Sequence, residues 1–305
     1  MIPTDIHLAR TGPVTSRNYQ RLGYRRLTRG VYGRVPALPD HDPYEQRRAS
    51  FLAHTFAVMA AYQGTGAVLY GVTALQVLGV ELPEPLEDWE RCHVLLPRGG
   101  FHPQRDRVVL HRTDRPVVPR WHRWGLPLLH PVEHWIQLRG ATDDQLIEVG
   151  DGLVRRQRPL VTWNGLVTAL GQCAGRPGAS RVAGVLKWVR PGTDSLYETR
   201  TRLILVHAGL PCPIVNLLVD CPAVGETYRI DMSYAPEKLG VEYDGRIHGQ
   251  TRQQMDDDAL RRRHLQDDGW MLITVTAGQL ANPPGIVRSV ESALVLRRAA
   301  LTQAW

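Results

Sequence analysis

Leu239-Gly240-Val241-Glu242-Tyr243-Asp244-Gly245-Arg246-Ile247-His248 is the stretch on which the reading of this chain turns. Strand side chains alternate between faces. Glu242 and Asp244 therefore share one face, and Val241 and Tyr243 share the other. Upstream, Tyr228-Arg229-Ile230-Asp231-Met232 puts Tyr228, Ile230 and Met232 on an apolar face and Asp231 opposite. Paired as a hairpin, the two strands bring Asp231 beside Glu242 and Asp244. Three carboxylates at one sheet end repel each other, so at least one pKa rises unless a cation neutralises the cluster. Oxygen-only donors suit magnesium, manganese or calcium rather than zinc. A metal held there can lower the pKa of water and stabilise charge during phosphodiester hydrolysis. A plainer reading stays open: Asp231 ends a strand, Asp244-Gly245 is a turn, and Glu242 faces solvent.

Working outward, Arg190-Pro191-Gly192 marks a boundary. After it a helix is expected from Ser195 to about His207, stopped by Gly209, Pro211 and Pro213. Strand-like runs follow at Ile214–Val219, Tyr228–Met232 and Leu239–Asp244. Then come a charged helix (Thr251–Asp267), an apolar strand (Trp270–Thr276) and a last helix (Pro283 to about Thr302). The order is α-β-β-β-α-β-α. Ser195 and Glu198 fit a capping box, a role compatible with a catalytic one for Glu198. Glu198 and Arg202 could also pair on the surface, as could Asp257 and Arg261. His248 could orient a water or donate to phosphate; as an exposed loop histidine it would do neither. Arg246, Arg252, Arg261, Arg262 and Arg263 are candidate phosphate ligands.

The front of the chain is different. Residues 1–38 are a short basic segment containing Arg17, Arg21, Arg25, Arg26 and Arg29. Tyr24–Tyr32 reads as a wing-like β-hairpin able to lie along phosphates, or as a solvated basic face. Val14–Leu22 supplies its one candidate helix. Residues 39–190 read as mainly helical, with Val68–Leu78 a short apolar helix, Cys92–Leu96 and Val108–His111 short strands, and the proline-punctuated stretch after residue 103 irregular. His130 and His134 have helical metal-ligand spacing, but Pro131 and the lack of a third ligand favour a helix start.

The chain has 305 residues, a net charge of +7, and only Lys187 and Lys238 among 37 basic residues. A basic balance favours polyanionic partners, although arginine richness also follows from a GC-rich genome. No apolar run can span a bilayer, and Met1–Arg10 has no charged-then-apolar leader. Four scattered cysteines form no metal or disulfide pattern, and a reducing cytoplasm is expected.

Several stretches in the same order resemble one superfamily. They are Ser195–Arg200, Ala208–Pro213, Tyr228–Asp231, Leu239–His248 and Gly269–Thr276. Residues 191–305 resemble the PD-(D/E)XK nucleases, and more closely their very-short-patch-repair (Vsr)-like endonuclease branch. The resemblance implies an α/β fold: an α+β mixed-sheet restriction-endonuclease-like core in the order α-β-β-β-α-β. It implies Asp231 as the metal-binding aspartate, Glu242 as the acid of the third strand, and a carbonyl of Tyr243 as a further ligand. The superfamily's lysine two residues past that acid is replaced here by Asp244. The Vsr-like branch also lacks it and carries a histidine beyond the glycine, which His248 matches. Separately, Arg29–Tyr32 and Ala67–Leu75 resemble AbiEi-type antitoxins, which join a winged helix to a helical domain.

The leading expectation is a DNA endonuclease using magnesium (or manganese) at Asp231, Glu242 and Asp244, assisted by His248 and Glu198. The partner would be DNA, with a homodimer or a toxin or defence partner left open. The rival expectation is a non-catalytic DNA-binding regulator of the antitoxin kind.

Overall fold

The computed structural model describes residues 4–9, 13–34, 43–99, 102–245 and 252–303. The chain forms two compact units, Met1–Thr142 with Leu160–Val185, and Asp143–Pro159 with Leu186–Trp305.

The first unit begins with β1 (Thr4–Leu8), β2 (Arg25–Thr28) and β3 (Val31–Arg34), an antiparallel sheet in the order β1-β3-β2. Gly30 at φ 77° makes the β2–β3 turn, where a side chain would be strained. The expected helix over 14–22 is a run of turns, closed by the amides of Tyr19 and Leu22 on the carbonyls of Thr15 and Asn18. Helix α1 (Pro43–Ala61) packs on this sheet and buries Phe51, Leu52 and Val58.

The middle region has its expected helices and the two expected strands at Cys92–Leu96 and Val108–His111, but the strands belong to a larger sheet. The region carries β4 (Val68–Leu69), α2 (Gly71–Leu78), β5 (Cys92–Pro97), β6 (Val108–Thr113), β7 (Trp121–Arg123), β8 (Leu126–Leu128) and α3 (Pro131–Trp135). The strands form a mixed sheet in the order β6-β5-β4-β8-β7. Val68 and Leu69 thus precede α2 as a strand rather than opening it. Trp124 (φ 52°) and Gly125 (φ 78°) turn the β7–β8 hairpin, both with the positive φ that a type I′ turn requires. His130 caps α3: its ring accepts from the Val132 amide at 3.3 Å, while Glu133 accepts from the His130 amide. That is the helix start, and His134 lies buried beyond it.

Three more helices follow: α4 (Asp143–Leu153), α5 (Trp163–Gln172) and α6 (Ala179–Val185). Of these α4 belongs to the second unit, although by sequence it reads as part of the middle domain. Its partner is α7 (Leu196–His207): Glu148 meets Arg200 at 3.0 Å, and Asp151 meets Arg202 at 2.7 Å and the Thr199 hydroxyl at 2.8 Å. Arg202 is therefore a fully buried residue tied to Asp151, not a surface partner of Glu198.

The rest of the second unit is β9 (Ile214–Cys221), β10 (Glu226–Tyr234), β11 (Leu239–Asp244), α8 (Arg252–Asp267), β12 (Met271–Thr276), α9 (Ala277–Leu280) and α10 (Pro283–Gln303). The sheet runs β12-β11-β10-β9, antiparallel except for the parallel β11–β12 pair. Leu205 of α7 and Ile286, Val290 and Leu294 of α10 pack with Met232, Val241 and Val275. Leu265 of α8 packs with Val219, Ile230 and Trp270. Gly240 lets these layers close, since a Cβ there would meet Leu272 at 2.7 Å and Ile230 at 2.8 Å. Ile230 and Met232 do not share one core as strict alternation predicts. The change occurs at Asp231, where the β9–β10 register skips the facing residue Asn216, held at φ 50°.

Candidate functional site

The site begins with a ladder that stops. β10 and β11 pair from Tyr234↔Leu239 to Met232↔Val241. One residue further, the Asp231 carboxylate accepts the Tyr243 amide at 3.0 Å, so a side chain replaces a backbone acceptor. Glu242 stands beside it, buried on the α8 side of β11, and Asp244 ends the strand half-buried. The Tyr243 ring turns the other way and stacks on Tyr197 of α7, with centroids 4.9 Å apart.

Glu198 reaches the same place from the first turn of α7. The Ser195 hydroxyl accepts from the Glu198 amide, as expected of a capping residue. In return, the Glu198 carboxylate accepts from the Ser195 hydroxyl at 3.1 Å, the Asp194 amide at 2.9 Å and the Asn216 amide group at 3.3 Å. Capping and membership of the acidic cluster are thus one arrangement. Asp194 Oδ1 and Asn216 Oδ1 are buried beside it without a hydrogen-bond partner among the described residues.

The electrostatics follow from burial. Burial, then the charge of Asp231, push the Glu198 carboxyl up to about 7. Burial likewise pushes Asp231 up to about 6, with Glu242 adding to it and the Tyr243 amide and Arg261 opposing it. Both oxygens of Glu242 are held by Arg261 of α8. Arg261 also donates to the Arg229 carbonyl. The expected Asp257–Arg261 pair is absent from these contacts; Asp257 accepts from Gln253 instead.

The structure therefore brings Glu198, Asp231, Glu242 and Tyr243 together, with Asp244 at the adjoining strand end. Arg246 and His248 lie outside the described residues. Arg252 is exposed and Arg262 half-buried on α8. Arg17, Arg21, Arg25, Arg26 and Arg29 are all exposed on the first unit. The sequence reading missed Asp194 and Asn216, and it took Arg261 for a phosphate ligand rather than the partner of Glu242. Asp194 adjoins the Ser195 cap, a position that could have been flagged. Nothing in the sequence marks Asn216.

All the candidate donors are oxygens, and two of the carboxylates repel each other without a cation between them. This charge pattern fits a divalent ion. Among the described residues, however, no three acidic, histidine or cysteine groups stand close enough to hold one ion as placed. Arg261 is the cation at Glu242, and it would compete with a metal for those oxygens.

No family model matches the chain. It is 25% identical over 117 residues to two Mycobacterium tuberculosis proteins, named Uncharacterized protein MT2308 (strain CDC 1551 / Oshkosh) and Uncharacterized protein Rv2248 (strain ATCC 25618 / H37Rv). The match covers 38% of this chain and 43% of each relative, so less than half of either relative is spanned. Among solved structures, the crystal structure of RV2827C protein from Mycobacterium tuberculosis aligns over 73% of this chain and 86% of that one, at 16% identity and a TM-score of 0.39.

Proposed function

We propose that the second unit is a restriction-endonuclease-like, Vsr-like domain that hydrolyses phosphodiester bonds in DNA with magnesium or manganese. The observation that carries this reading is the pair Glu198 and Asp231, one buried and one half-buried carboxylate that repel each other beside a third acid. Keeping such charges unpaired costs stability and is common where a site awaits a cation. Asp231, Glu242 and the Tyr243 carbonyl would hold the ion, with Asp244 beside them. When bound, it would supply Lewis-acid stabilisation of the phosphate and a more acidic water. Glu198, near its pKa at neutral pH, can take up a proton at its carboxylate. Arg261, once Glu242 turns to the ion, is left as a guanidinium able to face a phosphate. The exposed arginines Arg17, Arg21, Arg25, Arg26 and Arg29, on a wing-like sheet, would hold the DNA backbone and lend salt dependence to binding.

The test is cleavage of plasmid, mismatched, branched and single-stranded DNA with either metal. Asp231→Ala and Glu242→Ala should each lose at least about 100-fold in rate, the order of effect of removing a charge-stabilising group. Wild-type protein inactive on every substrate would sink the proposal.

One observation favours a second reading. Arg261 already occupies both oxygens of Glu242, as a permanent cation would in a non-catalytic DNA-binding regulator. That reading requires DNA binding that is indifferent to metal and to Asp231→Ala.

A further inference from the structure

The first unit carries an open cavity of about 1650 Å³ between β5, β6, the segment 86–91 and the end of α3. Small-molecule pockets are commonly about 300–1,000 Å³, so there is room for a sizeable ligand. Into it opens a hydrogen-bonded relay. Asp88 meets His93 Nε2 at 3.3 Å, and His93 Nδ1 meets His111 Nε2 at 3.0 Å. Burial works against the Asp88 carboxylate, but hydrogen bonds from the Arg91 amide, His93 and the Arg91 guanidinium outweigh it and keep Asp88 ionised. An ionised carboxylate only accepts, so His93 carries its proton on Nε2. Burial lowers the pKa of His93 and, with His93 beside it, that of His111, the latter to about 4, so both rings are neutral. His93 Nδ1 is then an acceptor, His111 Nε2 donates to it, and His111 Nδ1 keeps a bare lone pair. The Tyr70 ring holds His111 in place, 4.8 Å away.

The surrounding charge is anion-seeking. Arg112, Arg115 and Arg139 line the cavity, are exposed, and their guanidinium groups make no ion pair among the described residues. Of the four acids lining it, three are engaged, Asp88 by Arg91 and His93, Glu133 by Arg176, and Glu87 by the indole N–H of Trp89. The fourth, Glu90, is exposed at the rim. The Trp89 ring, braced edge-on by Tyr44 and Phe51, adds a planar wall. An oxyanion for the arginines, a hydroxyl or amino donor for His111, and a flat ring for Trp89 occur together in a nucleotide.

We propose that this cavity binds a nucleoside phosphate, either free or at the end of a single strand, with Arg112, Arg115 and Arg139 on the phosphate and His111 Nδ1 accepting from the sugar or base. This site is independent of the acidic cluster and of the nuclease reading.

Calorimetric titration of the full chain without divalent metal tests it. The probes are adenosine 5′-monophosphate, adenosine, inorganic phosphate and a short single-stranded oligoadenylate. The monophosphate should bind, and the exposed double variant Arg112→Ala/Arg139→Ala should weaken it about tenfold or more. His111→Ala should weaken it too, with thermal unfolding checked in parallel. An oligoadenylate about tenfold tighter than the monophosphate identifies a strand as the source, and equal affinity identifies the free nucleotide. Adenosine or inorganic phosphate binding as tightly as the monophosphate would overturn the assignment. So would no binding by any probe, an unchanged arginine variant, or binding lost in Asp231→Ala.

Discussion

Helix α7 serves two neighbourhoods with opposite charge logic. Toward α4 it presents Arg200 and Arg202, which meet Glu148 and Asp151 one to one. Toward the end of the sheet it presents Glu198, which meets Asp231, another acid. Both regions are buried, and both contain carboxylates. In the first, each acid has its own arginine and the result is a joint between helices. Burial raises acids in both regions, but in the first their arginines oppose it. In the second, Arg261 holds Glu242, and burial with neighbouring acids pushes Asp231 up to about 6 and Glu198 up to about 7. The contrast separates charge that holds a fold from charge kept for a ligand.

The sharpest way to break this comparison is at the balanced end. Asp151 and Arg202 are 1% and 0% exposed. Arg202 cannot lose its proton, so Asp151→Ala leaves a bare guanidinium in the core. It also strips the Thr199 hydroxyl and the Arg190 amide of their acceptor. The expected loss is about 3–5 kcal/mol in urea unfolding, the usual cost of breaking a buried pair. A loss under about 1 kcal/mol, within the range of a surface pair, would remove the structural reading of the joint.

Arg261 tests the boundary between the two kinds of charge. Removing its head group with Arg261→Met leaves Glu242 buried without a partner. The metal-free protein should lose about 1–3 kcal/mol, the range for a stranded buried polar group. Millimolar magnesium should recover much of that loss, because the ion would take over Glu242. Equal destabilisation with and without magnesium would favour the regulator reading.

These contrasts also mark how far the sequence could be read. The strands β9 to β12 and their acids were legible because nine-residue β10 and six-residue β11 are long enough to show alternation. Of the middle sheet only β5 and β6, six residues each, were legible. β4 has two residues, β7 and β8 three each, and too little chain remains to display a period. The Trp124-Gly125 turn lacks the Asn-Gly or Asp-Gly signature of its type. At the site, the carboxylates were visible because their chemistry is written in their type. The pairing of Arg261 with Glu242 was not, since it depends on how α8 crosses the sheet. Likewise Arg202 reads as a surface partner of Glu198 by spacing, and only the docking of α4 shows why it is buried.

The smallest expected effect bears most directly on the unbalanced end. Asp231→Asn keeps an oxygen to accept the Tyr243 amide while removing the charge. The Asp231 carboxyl sits at about 6 in the fold, above its ordinary value of 3.8. A group with a raised folded pKa contributes stability that is fully present below its unfolded pKa and is lost as pH rises through the folded one. The wild-type melting temperature, measured without metal, should therefore fall between about pH 4 and pH 7, the window set by those two values. Glu198 adds to the same slope, because burial and then the charge of Asp231 raise its carboxyl as well. In Asp231→Asn the slope should flatten, and at pH 7 the variant should be more stable than wild type by about 1–2 kcal/mol. Magnesium should stabilise the wild type at pH 7 and leave the variant nearly unchanged. Such a variant, more stable yet inactive, would show that the repulsion is retained for function. A variant that melts below wild type at pH 7 would instead mean that Asp231 is held in place chiefly for the bond it makes to Tyr243.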